Sequence, residues 1–139
     1  MKYATHSIAP KWVQDLLIEA CLAFGKEDLP EVVWRRSRIH SNTSGYAKPL
    51  KNRILLTAGS DHTDAKRAVL HELAHLLVPD CRHSPAYWDK AWELYRWAKL
   101  PIRQMRLREG AYMKGATVAY VRSRKAKPKD KEERDDVSK

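Results

Sequence analysis

The run VLHELAHLLVPDCRHSPAYW, Val69–Trp88, limits what this chain can fold into more than any other stretch. Its first ten residues carry enough apolar positions to form a helix that is covered on most sides. Successive helical residues turn by 100°, so His71 and His75, four apart, project from one face. Glu72 stands one position round from His71. Val69, Leu70, Leu73, Ala74, Leu76 and Leu77 surround the three polar side chains, which predicts that the helix is largely buried. Burying imidazoles and a carboxylate is unfavourable unless each finds a partner, and a metal ion is a common one. The HExxH spacing fixes three residues, so chance supplies it at about one position in 8,000, roughly 2% for a chain of this length. Coincidence is therefore a poor explanation.

A catalytic zinc takes three protein ligands and keeps one position open for water. His83, eight residues beyond His75, follows the break at Pro79, where the chain can turn back and deliver a third imidazole. The predicted set is His71, His75 and His83 as ligands, with Glu72 as the base. The competing reading is a helix whose polar residues face solvent, with His83 merely a neighbour of the next helix. His6 and His40 fall in loop-like stretches and are not expected to ligate. His62 sits in the capping region ahead of the helix and reads as local structure.

Elsewhere the patterning predicts an α+β domain. Trp12, Val13, Leu16, Leu17, Ala20 and Phe24 recur at helical spacing, with Ser7 as a candidate N-cap and Gly25 as a stop. Glu31–Ile39 is β-branched and partly alternating, a strand signal. His40–Gly45 has the composition of a turn. In Tyr46–Gly59, Pro49 suits a sheet edge or strand start, and Arg53–Thr57 reads as the next strand, expected at the edge. Ser60 or Asp61 can cap the HExxH helix. A further helix should open at Ser84-Pro85 and run to about Lys99, with Trp88, Trp92 and Tyr95 on its core side. Ala111–Val121 reads as a short strand or a poor helix, and Gly115 favours strand or loop. Residues 1–121 are read as one domain, and 122–139, almost wholly charged, as a disordered tail.

Twenty-seven basic against 17 acidic residues give a net charge of +10. The excess is spread over both halves and is densest in Tyr95–Arg108, which holds five basic residues and no acid. Arg96, Lys99, Arg103, Arg106, Arg108, Arg122, Arg124 and Lys125 are candidate contacts to nucleic acid, here DNA. Charge alone equally serves solubility. Cys21 and Cys81 are the only cysteines and form no CxxC pair, which argues against a disulfide framework or a zinc ribbon. No apolar run is long enough for a membrane span, and Lys11, Gln14 and Asp15 interrupt any signal-like core, so a cytoplasmic protein is expected.

With these residues in view, HELAHLL followed by HSPAYW resembles the SprT-like and related small zinc metallopeptidases, whose HExxH is followed by a later histidine in an HS/HG-x-x-F/W context. GYAKPLKNRILLT is similar to the short sheet that precedes their active helix. HSPAYW approaches the HSxxFW pattern of the YgjP-like group about as well. The resemblance spans about Trp12–Leu100, but only His71–Trp88 is specific. It implies a small zincin-like fold, zinc on His71, His75 and His83, Glu72 as catalytic base, and a protein or peptide substrate. Two departures stand out: Tyr87 with Trp88 behind it takes the aromatic position, and the four-cysteine zinc ribbon of many SprT-like proteins is replaced by a basic segment.

The functional expectation is a zinc-dependent protease that hydrolyses peptide bonds through metal-activated water, acting on proteins at or near DNA. Tyr87, Tyr46 and Arg53 are candidates for steadying the transition state or the substrate. An extended peptide is expected to pair with the Arg53–Thr57 strand. The alternatives are a nucleic-acid-binding module with a structural zinc, Cys81 being the residue able to fill a fourth position, and a non-peptide hydrolase on the same scaffold.

Overall fold

The computed structural model describes residues 9–36, 41–78 and 83–112. The chain divides into two compact units after Cys81.

The first unit starts with helix α1, Lys11–Ala23, which buries Val13, Leu17, Ala20 and Cys21 along one stripe. The Pro10 carbonyl accepts hydrogen bonds from the amides of Val13 and Gln14 at 3.0 and 3.2 Å, and no side chain caps the helix. Ser7, the expected cap, lies outside the described residues. Gly25 ends the helix as predicted. It takes a positive φ of 74°, and the next amide, of Lys26, reaches back to the Cys21 carbonyl at 2.9 Å.

Three strands follow: β1, Glu31–Arg36; β2, Ser44–Lys48; and β3, Arg53–Ala58. Their order is β1-β3-β2, with β3 parallel to β1 and antiparallel to β2. The strand expected at the sheet edge, Arg53–Thr57, is therefore the central one. Alternate residues Ile54, Leu56 and Ala58 are buried, and both sides of its backbone are paired. The misplacement has one cause: His40–Gly45 was read as a turn, but Ser44 and Gly45 begin β2. Gly45 is there because the backbones crowd. A Cβ at this position would stand 2.2 Å from the Leu55 carbonyl oxygen. A glycine that normally signals a turn marks here a close strand approach.

A 3-10 turn, Pro49–Lys51, joins β2 to β3, and Asn52 closes it in the left-handed conformation at φ 48°. Its side-chain amide donates to the carbonyls of Asp28 and Leu29 at 3.3 and 3.1 Å. Its own carbonyl accepts from the amide of Glu31 at 2.9 Å. One residue thereby ties the hairpin to the entry of β1.

Helix α2, His62–Leu77, packs on β2, β3 and α1. Asp61 caps it, accepting from the Asp64 amide at 3.1 Å. Eleven of its 16 residues are buried, as the apolar filling of the sequence predicts.

The second unit contains α3, Pro85–Trp97, and α4, Ile102–Arg108, which pack on each other. Ser84 caps α3 through the Tyr87 amide at 3.2 Å and Pro85 occupies the first turn, as expected. Trp88, Trp92 and Tyr95 are fully buried. The helix ends on Lys99 at φ 59°, with the amides of Lys99 and Leu100 bonded to the carbonyls of Arg96 and Tyr95. This stop has the bonding of a glycine stop without the glycine. Helix α4 buries Met105, and Glu109–Tyr112 form a 3-10 turn; the rest of the Ala111–Val121 stretch, 113–121, lies outside the described residues. Glu109 is fully buried and accepts a hydrogen bond from the Tyr95 hydroxyl. No described helix is long and apolar enough to cross a membrane.

Candidate metal centre

Helix α2 carries His71, Glu72 and His75 in its last two turns, exposed by only 5%, 6% and 7%. Leu70, Leu73 and Ala74 beside them are fully buried. The two imidazoles sit one above the other, as four-residue spacing requires, with ring centres 5.4 Å apart and planes inclined by 67°. His83 immediately precedes the Ser84 cap of α3. Its ring stacks on Trp88 at 5.3 Å and meets the ring of Tyr87 edge-on at 5.0 Å. Two aromatic walls thus hold the imidazole in one orientation.

Each of His71, His75 and His83 offers one ring nitrogen, and these atoms lie within 4.8 Å of one another. Imidazole nitrogens about 2 Å from a common ion would stand no more than about 4 Å apart, so small side-chain adjustments close the set on one cation. Neutral imidazoles are among the commonest ligands of divalent metals. The triad can hold a metal ion.

The other predicted residues occupy different surroundings. Tyr87 is fully buried. Tyr46 stands exposed on β2, and Arg53, in β3, forms an ion pair with Glu31 at 2.9 Å. Arg96, Lys99, Arg103, Arg106 and Arg108 are all exposed on the second unit. Arg122, Arg124, Lys125, His6, His40 and Cys81 lie outside the described residues. His62 is the first residue of α2, and its ring rests 4.5 Å from that of Trp12. Cys21 is a buried free thiol, and burial pushes its pKa up, partly offset by Lys26, which makes it a poor nucleophile.

A second buried polar group on α2 escapes sequence reading. Asp64, exposed by 2%, accepts from the Thr43 amide at 2.7 Å and pairs with Arg67 at 2.8 Å. Arg67 also donates to the Thr43 carbonyl at 3.2 Å, and the Thr43 hydroxyl accepts from the Gly59 amide at 3.0 Å. The network ties the residue before β2 to the start of α2. The only local sign of it is the i, i+3 spacing of Asp64 and Arg67; Thr43 is 21 residues away.

No protein-family model matches the chain, and no curated protein matches its sequence. Among solved structures the chain is similar to the crystal structure of the metallopeptidase zymogen abylysin of Pyrococcus abyssi. The TM-score is 0.50 at 19% identity, and the match covers 73% of this chain and 94% of that one. The two chains share a fold over that length. The α+β expectation holds, from an N-terminal helix through a three-stranded mixed sheet to the helix bearing His71 and His75.

Proposed function

We propose that the protein is a zinc-dependent peptidase of the HExxH type. The observation that carries this reading is the convergence of three imidazole nitrogens within 4.8 Å beside a buried glutamate. The similarity in fold to a metallopeptidase zymogen supports it. His71, His75 and His83 hold the ion, and three nitrogen ligands favour zinc over calcium or magnesium. Bound there, a zinc ion would supply a Lewis acid that lowers the pKa of water and polarises a peptide carbonyl.

The protein's own share of the chemistry falls first to Glu72. Its carboxylate takes a proton from the attacking water as the water oxygen bonds to the carbonyl carbon. It then passes that proton to the amine as the C–N bond breaks. A purely structural zinc has no use for such a carboxylate, which sets this reading above a nucleic-acid module with a closed site. Tyr46, exposed on β2, is the candidate for touching a substrate, whereas Tyr87, whose ring meets that of His83 edge-on, serves first to orient it. The role of aligning an extended peptide passes from β3, which is paired on both sides, to β2. N-methyl scanning of a peptide substrate should find the amides that pair with Ser44–Lys48, and equal cleavage of every methylated peptide would remove this part of the account.

Within the family resemblance of HELAHLL and HSPAYW, the SprT-like peptidases are the fitting group, and the exposed basic residues of α3 and α4 favour substrates that travel with DNA. The test incubates wild type and Glu72→Gln with a DNA-binding protein, with and without single- and double-stranded DNA. Fragments should form with wild type only, and faster when DNA is present. Stoichiometric zinc without cleavage of any protein would refute the peptidase reading. Cleavage indifferent to DNA would refute only the substrate.

A further inference from the structure

A cavity of about 380 Å³ opens at the other end of α2, walled by Trp12 of α1, Trp34 and Arg36 of β1, and His62. We propose that it binds a small planar aromatic anion. Its size lies at the lower end of small-molecule sites, enough for one or two fused rings and a charged group.

The walls are aromatic. Trp34 is almost fully buried, Trp12 meets it edge-on at 6.1 Å, and the His62 ring lies 4.5 Å from Trp12. Indole edges and faces select flat ligands through the same stacked and edge-on geometries they adopt with each other.

The floor is made of small residues, Ala58, Gly59 and Ala65, which keep the space open. Gly59 cannot be enlarged, because a Cβ there would stand 2.3 Å from the Ser41 carbonyl oxygen.

The charge is one-sided. Arg36 and His62 line the cavity, and among the described residues no carboxylate does. Arg36 is exposed at the end of β1, where its guanidinium can grip a carboxylate or phosphate with two hydrogen bonds. The site stands apart from the histidine triad. His62 precedes His71 by about 13 Å along the helix axis, so the proposal does not depend on metal binding.

Two sources share this ligand chemistry: a mononucleotide and an aromatic carboxylic acid. The test titrates isotope-labelled full-length protein with adenosine monophosphate, indole-3-propionate, neutral adenosine and inorganic phosphate, following amide and indole resonances by NMR. At least one of the two charged aromatic probes should shift the Trp12, Trp34 and His62 signals, and the stronger one names the source. Adenosine and phosphate should bind about tenfold more weakly or not at all. Arg36→Gln, on an exposed strand end, should fold normally and cut affinity for the charged probe by about tenfold, leaving adenosine unchanged. Trp12→Leu should weaken both. The proposal is overturned if neither charged probe moves these signals up to about 10 mM, or if Arg36→Gln binds as well as wild type.

Discussion

The first half of α2 and the second half each bury charged or polar side chains, and they satisfy them differently. In the first, Asp64 is sealed by partners from the chain itself: the Arg67 guanidinium, the Thr43 amide and, through Thr43, the Gly59 amide. In the second, His71 and His75 join His83 in a set whose nitrogens converge within 4.8 Å, with Glu72 buried alongside. Three ring nitrogens gathered this closely offer a donor set that suits a cation. The first arrangement is a structural tie and the second is a candidate metal site, reactive on the reading proposed above. Substitutions should therefore separate stability from activity along a single helix.

The largest effect expected is on catalysis. Glu72→Gln should lower peptidase turnover by about 10³-fold or more while moving stability by less than about 1 kcal/mol, read from paired cleavage assays and urea melts. A variant as active as wild type would erase the distinction between the two halves. Next comes Asp64→Ala, which leaves the nearly buried Arg67 without its carboxylate and should cost about 3–5 kcal/mol in urea unfolding. Its zinc affinity, measured while folded, should stay within about threefold of wild type. Gly59→Ala tests the same tie from the loop side. Its Cβ would meet the carbonyl oxygens of Ser41 and Asn42 at 2.3 and 2.5 Å, and the forced shift should cost about 1–3 kcal/mol. The smallest change falls outside α2. Lys99→Gly relieves a positive φ of 59° at the end of α3 and should stabilise the fold by about 0.5–1 kcal/mol, leaving zinc binding and cleavage without DNA as they are.

The half of α2 that bears the histidines was legible in the sequence because its signals are local. HExxH places its residues by helix periodicity alone, and Ser84-Pro85 announces the helix behind His83 by cap chemistry. Trp88, Trp92 and Tyr95 fell to the core by the same spacing. The structural half was hidden because its logic is long-range. Asp64 looks like an ordinary first-turn acid until Thr43 arrives from 21 residues away. The start of β2 was hidden because Ser44 and Gly45 have turn composition, while the reason for Gly45 is the backbone of Leu55 beside it. That error also put β3 at the edge of the sheet. The end of α3 near Lys99 was legible from Pro101, but the positive φ of Lys99 was not, because that conformation is usually announced by glycine.

Calorimetric titration of zinc into metal-free wild type and into His71→Ala, His75→Ala and His83→Ala tests the central claim most directly. Loss of a group that merely orients a ligand costs about 10- to 100-fold in affinity, so loss of a ligand should cost at least about 100-fold. The account predicts one zinc per chain in wild type and that loss in each of the three variants. Undiminished, stoichiometric zinc binding by His83→Ala would contradict it.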